Sequence, residues 1–212
     1  MTRMSKRPMP PESLFDVGAA AAFIPATDIS EWVQVTFFDE SSRVHNPDHA
    51  HLAEAHIGYL WTIVENNRKG KRVIGQCEEG KPQGAMGKWS RARAEQQVIE
   101  WFGFVPDFII TLDAEYCRTA SDVAFAALVE HELMHCGQER DEFGTPKFSK
   151  STGLPVYTIR GHDFEGFIGI AVRYGAVEAG VKELFEALSK KPLFSAEDVS
   201  GACGTCQARK AA

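Results

Sequence analysis

His131 and His135 stand four residues apart in Val129-Glu130-His131-Glu132-Leu133-Met134-His135-Cys136, with Glu132 directly after the first. Residues four apart share one face of a helix, so two imidazoles at this spacing converge on a single cation. Neutral histidine nitrogens suit zinc, which takes them at about 2.0–2.1 Å in a tetrahedral arrangement. A carboxylate beside the first histidine reaches a water at the metal rather than the metal itself. Zinc lowers the pKa of such a water from about 16 to about 7. Glu132 would then take its proton and pass it to a leaving amine. The pattern is H-E-x-x-H, and the chemistry it implies is zinc-assisted hydrolysis of a peptide bond. The deaminase pattern fits poorly, because Glu132 follows His131 without a spacer and no proline precedes Cys203.

A catalytic zinc needs a third protein ligand and one open position. The candidate segment is Arg160-Gly161-His162-Asp163-Phe164-Glu165-Gly166-Phe167. His162 follows His135 by 27 residues, room for a loop and a return strand. It is the favoured ligand. Glu165 would give a His-His-Glu site instead, and Asp163 is either a ligand or an acceptor that fixes a histidine tautomer. Tyr157, Arg160, Arg173 and Tyr174 are candidates to stabilise a tetrahedral oxyanion. A second histidine group, His45, His49, His51 and His56, has no carboxylate or cysteine pattern to complete a site and reads as structural.

These residues need elements to hold them. Ser121–Cys136 reads as a helix, capped by Thr119 or Ser121 and ended by Gly137. Asp107–Leu112 is a β-branched and aromatic run that reads as a strand. Beside a metal it would serve as a sheet edge on which an extended peptide pairs. Pro47–Val64 is predicted helical from apolar spacings of three and four, with Asn46 as cap and Pro47 first. Ser90–Trp101 is a further helix stopped by Gly103. Phe15–Phe23 is a short helix or an apolar anchor. Val73–Cys77 and Val156–Ile159 are short strands, and Glu78–Gly87 is a loop. Asp163–Tyr174 and Val181–Ser189 complete the predicted helices.

The 212 residues, 44% hydrophobic and 25% charged, suffice for one domain with its own core. The expected division is a disordered tail over 1–14, a domain over 15–194 and a flexible tail over 195–212. A net charge of −6 points to no global attraction for nucleic acid or anionic membrane. Residues 66–93 depart from this, with eight basic and two acidic side chains. That stretch reads as a solvated face, or as a weak nucleic-acid contact. Five cysteines behind a start unlike an export signal point to reduced thiols in a cytoplasm.

The helix His131-Glu132-Leu133-Met134-His135-Cys136, the segment Gly161–Phe167 and the later Val172-Arg173-Tyr174-Gly175 together resemble the phage metallopeptidase domain family. The resemblance spans roughly residues 20–180. It implies a zincin-like domain encoded by a phage or prophage, working in the host cytoplasm, with His131, His135 and His162 as metal ligands. Gly166 stands where the family more often has an acidic residue. More distantly, the chain resembles SprT-like proteases, which also place a histidine shortly before a phenylalanine. Those carry two C-x-x-C pairs, whereas only Cys203-Gly204-Thr205-Cys206 is present here, and one pair cannot complete a tetrahedral cysteine site within one chain.

The expectation is therefore an α+β, zincin-like domain, a small mixed or antiparallel sheet packed on helices with the H-E-x-x-H helix at its centre. Its activity would be that of a zinc metallopeptidase, with Glu132 as base and a polypeptide as substrate. The other readings are a zinc amidase acting on cell-wall peptide and a metal-binding protein without catalysis.

Overall fold

The run Ile57-Gly58-Tyr59-Leu60-Trp61-Thr62 is extended, not helical as the spacing predicts. Tyr59 and Trp61 bury on one side and Leu60 on the other, a period of two that a strand satisfies and a helix does not. Helical structure stops at Leu52, after a 3-10 segment over Pro47–Leu52. Its start is as read from the sequence. The Asn46 side chain accepts a hydrogen bond from the Asp48 N–H at 3.0 Å, with Pro47 first in the turn. The three- and four-residue spacings came from joining this turn to a strand.

A computed structural model describes residues 6–16, 18, 21–68, 70–84, 86–163, 181–194 and 207–208. The predicted helix Asp163–Tyr174, with Glu165, Arg173 and Tyr174, and the Cys203–Cys206 pair lie outside them, Asp163 apart. The strands are β1 (Phe23–Pro25), β2 (Ile57–Thr62), β3 (Asn66–Arg68), β4 (Lys71–Val73), β5 (Gly75–Glu79), β6 (Phe108–Asp113), β7 (Cys136–Gln138), β8 (Tyr157–Ile159) and β9 (Gln207–Ala208). The helices are α1 (Thr27–Val33), α2 (Lys88–Phe102), α3 (Ala114–Thr119), α4 (Asp122–His135) and α5 (Val181–Leu188). The fold is α+β, with a small mixed sheet in the order β1-β2-β6-β5. β2 and β6 are parallel, and the other two pairings are antiparallel.

The two faces of this sheet bury different helices. Phe108, Ile110 and Leu112 of β6 join Tyr59 and Trp61 against Phe125, Leu128 and Leu133 of α4. Trp32 of α1 meets Phe125 with ring centroids 5.2 Å apart. On the opposite face Leu60 and Ile109 pack on Val98 of α2, with Trp101 and Phe102 beside them. Each fully buried side chain of this kind contributes about 1.5–3 kcal/mol. α2 ends at Gly103, as predicted, in the left-handed conformation at φ 82°.

Three smaller expectations change. The predicted edge strand β6 is interior, flanked by β2 and β5, so its ladder is filled on both sides. The edge is β5, part of which was read as loop. Within Phe15–Phe23, Phe15 closes a 3-10 turn over Glu12–Phe15 and Phe23 opens β1. Arg7, within the stretch expected to be a disordered tail, is buried. Arg7 donates to the carbonyls of Cys117 at 2.7 Å and Ala120 at 2.6 Å and pairs with Asp122 at 3.1 Å, which satisfies backbone at the α3–α4 junction. At the other terminus β9 pairs with β4.

The second histidine group is structural. His45 Nδ1 meets the Phe37 carbonyl, and His56 pairs with Asp107. His49 is 2% exposed against Phe37 and Phe38, with neither ring nitrogen hydrogen-bonded among the described residues. Burial, reinforced by neighbouring His51 and His45 and opposed by Asp48, pushes its pKa down from 6.5 to about 4. A base whose folded pKa is depressed binds fewer protons folded than unfolded. Its contribution is therefore complete above pH 6.5 and is lost as pH falls toward 4. At about 1.4 kcal/mol per unit this is worth up to about 3 kcal/mol. Thermal unfolding followed from pH 7 to pH 4 should show that loss in the wild type, and His49→Phe should flatten it. An unchanged pH dependence in the variant would place the acid sensitivity elsewhere.

Candidate metal centre

α4 begins where the Ser121 hydroxyl accepts a hydrogen bond from the Ala124 N–H at 3.1 Å. Leu128, Val129 and Leu133 bury one side of it completely. The other side carries His131 and His135, ring centroids 5.1 Å apart. The helix ends at Cys136, one residue before the predicted Gly137, because β7 starts there and pairs antiparallel with β8.

That pairing brings in the third histidine. Cys136 faces Ile159 and Gln138 faces Tyr157, so the chain after β8 returns beside the end of α4. The Arg160 N–H donates to the His135 carbonyl at 2.9 Å, and the Arg160 carbonyl accepts from His135 Nδ1 at 2.7 Å. A carbonyl only accepts, so Nδ1 carries the proton and the Nε2 lone pair of His135 is left free for a cation. Two residues later His162 puts its ring 4.7 Å from that of His135 and 5.2 Å from that of His131. One nitrogen from each of the three histidines lies within 4.8 Å of the others.

The geometry fits a tetrahedral cation. Two nitrogens on a tetrahedral zinc, each about 2.05 Å from it, are about 3.3 Å apart. His131 Nε2 and His162 Nε2 are 3.3 Å apart. Burial, helped by the neighbouring imidazoles of His135 and His162, lowers the His131 pKa to about 4, so the ring is neutral and ligand-ready near pH 7. Asp163 is not in the group. It pairs with the Arg160 guanidinium, and the tautomer of His135 is fixed by the Arg160 carbonyl instead.

Glu132 lies on the buried side of the motif, 1% exposed. Desolvation raises its pKa to about 8, against a backbone hydrogen bond from Cys77 that lowers it. Its Oε1 has no hydrogen-bond partner among the described residues. The wall facing it is β5. A Cβ added to Gly75 would stand 2.7 Å from Glu132 Oε1 and 2.9 Å from Leu128 Cδ1. A side chain here would displace the ends of Glu132 and Leu128, a close approach that its place in a short apolar run does not signal. Tyr157 is not gathered in. Its ring packs on Phe108, and Asp107 and Glu54 act on its hydroxyl, which places it toward the other end of the sheet. The basic stretch 66–93 is divided among β3, β4, β5 and α2, and Arg72 is neutralised by Asp113 at 2.6 Å.

Three convergent histidines on and beside one helix of an α+β chain form a group that could hold a metal ion. Residues 30–189 match the family described as "Putative phage metallopeptidase", and the chain belongs to that family. No curated protein and no solved structure matches it significantly. Among the described residues no helix is long and apolar enough to cross a membrane.

The tight wall makes a test. Gly75→Ala should lower stability by about 1–3 kcal/mol through overpacking on Glu132 and Leu128. Gly87→Ala, at φ −61° with nothing within 4 Å, should change it by less than about 0.5 kcal/mol. Denaturant midpoints measure both. Equal midpoints would mean that β5 yields without resistance.

Proposed function

We propose that this chain is a zinc-dependent peptidase of zincin-like fold, with His131, His135 and His162 as ligands and Glu132 as general base. The observation that carries this reading is the three-histidine cluster, its nitrogens within 4.8 Å of one another, with a buried carboxylate one residue from the first. Zinc, when bound, supplies a Lewis acid that makes water a usable nucleophile near neutral pH. The chain's own groups do the rest. The Arg160 carbonyl holds His135 in its Nε2-free tautomer. The Glu132 carboxylate takes the proton of the attacking water and delivers it to the amide nitrogen that leaves. Burial alone holds that carboxyl protonated near pH 7, and a divalent cation beside it favours the ionised form, so metal occupancy and readiness of the base are linked.

The substrate class follows from β5. Asp113 N–H donates to the Ile74 carbonyl and Gly80 N–H donates to the Asp107 carbonyl. Residues of even number therefore bond to β6, and the odd ones, Gly75, Cys77 and Glu79, turn their peptide groups outward. The Cys77 N–H is engaged by Glu132. Gly75 is buried, so the outward groups of half-buried Glu79 remain for an extended polypeptide laid along this end of the edge.

Elemental analysis of purified protein tests the site. The wild type should hold about one zinc, as a single tetrahedral centre requires. His131→Ala, His135→Ala and His162→Ala should lose or weaken it. Glu132→Gln should keep the metal and lose about 10²–10⁴-fold of peptide hydrolysis. Full zinc in His162→Ala would move the third ligand elsewhere. Cleavage of muropeptides without cleavage of proteins would make the enzyme an amidase.

The edge has its own test. Glu79→Pro removes an outward N–H and no bond to β6, a position where a strand tolerates proline. It should raise KM for peptides while zinc content stays normal. An unchanged KM would remove this end of β5 from the substrate path.

A further inference from the structure

Cys77 on β5 and Cys136 at the end of α4 place their Sγ atoms 3.4 Å apart, although 59 residues separate them in sequence. Neither belongs to the ligand set. Cys136 is 1% exposed, while Cys77 is half-buried and lines an open cleft of about 720 Å³ shared with Glu79, Met86, Val98, Trp101 and Ile159. A third cysteine supplies the contrast. Cys117 is fully buried, with its thiol pushed well up by desolvation and no second sulfur described beside it. Isolated buried thiols of that kind are inert, whereas a half-buried thiol with a resolving partner at contact distance is a site of oxidation.

We propose that Cys77 and Cys136 form a reversible oxidation site, whose disulfide joins the substrate edge to the end of the metal-binding helix and restrains the site between them. The oxidant is a hydroperoxide. The Cys77 sulfur attacks the peroxide oxygen, forming an S–O bond as the O–O bond breaks. The thiol proton leaves with the departing oxygen, as water or alcohol. Cys136 Sγ then attacks the Cys77 sulfur. The S–S bond forms, the S–O bond breaks, and the released hydroxide takes the Cys136 proton to give water. Two thiols are oxidised by two electrons in all, and one peroxide is reduced.

The consequence follows from what can move. A disulfide needs its sulfurs about 2.05 Å apart, so the pair must close by more than 1 Å. The end of α4 is held by both bonds between His135 and Arg160, and the Cys136 carbonyl accepts from His51 Nε2 at 2.7 Å. β5 is bonded within its sheet on one side only, to β6. The strand moves, toward a carboxylate that already leaves no room for a methyl group at Gly75. Oxidation therefore presses on Glu132 and slows hydrolysis without removing a ligand.

The effect on hydrolysis rests on the peptidase reading above, and the cross-link does not. The full-length zinc-loaded protein is treated with hydrogen peroxide, alkylated, digested and mapped by mass spectrometry. Expected is a cross-linked peptide pair joining Cys77 to Cys136, cleaved by dithiothreitol, with Cys117 still alkylated after unfolding. Zinc content should be unchanged, since the ligands are all imidazoles and zinc has no redox chemistry. Peptide hydrolysis should fall several-fold and recover on reduction. In Cys77→Ser, whatever its basal rate, peroxide should have no such effect. Oxidation of Cys77 to sulfinic acid with no cross-link would overturn the site. A cross-link with an unchanged rate would overturn the restraint. A cross-link in a protein that holds zinc and cuts no peptide would leave the site standing and remove the peptidase reading.

Discussion

The arrangement depends on the two hydrogen bonds between His135 and Arg160. One fixes the backbone of the returning chain against the last turn of α4, and the other fixes the imidazole of His135. The β7–β8 pairing returns the chain, and these two bonds seat its end, two residues before His162, on the last turn of α4. With them, position and tautomer are set by the same residue. The rest of the fold can be read as support for that junction. β7 and β8 provide the register, and α4 is clamped to the sheet by Leu128, Val129 and Leu133.

Burial does opposite things to neighbouring residues of one helix. For His131 it disfavours the cation and leaves a neutral donor. For Glu132 it disfavours the anion and leaves a protonated acid. Both effects come from the same low-dielectric surroundings, and both are relieved by a divalent ion, which takes the neutral imidazole and stabilises the carboxylate. Burial thus leaves these two neighbouring groups uncharged near pH 7, a pairing suited to a divalent cation.

Much of the site was legible because its information is local. The spacing of His131, Glu132 and His135 fixes a helix face whatever the rest of the chain does, and Ser121 and Asn46 cap through bonds within three residues. The parts that were not legible are set by distant partners. The segment Ile57–Thr62 is a strand because Phe108–Asp113 lies beside it, and local spacing alone favoured a helix. β6 was recognised as a strand, but its interior place was invisible, because the neighbour on its far side, β5, was half assigned to a loop. Gly75 carried no signal either. Its meaning lies in the 2.7 Å that a methyl group would leave to a carboxylate 57 residues away.

The same strand links these points. β5 is a wall for Glu132, the donor of the Cys77 N–H, an edge with peptide groups turned outward, and the carrier of a sulfur touching Cys136. An interior strand could not do all of this, because both of its edges would be bonded and its backbone fixed. An edge strand bonded on one side keeps a row of free groups and some freedom to shift. The helix that carries His131 and His135 is the rigid half of the site, held by its core contacts and its junction with Arg160. β5 is the compliant half. Whatever alters its position by a fraction of an ångström acts on Glu132 first and on the three histidines hardly at all, since no atom of β5 belongs to their cluster.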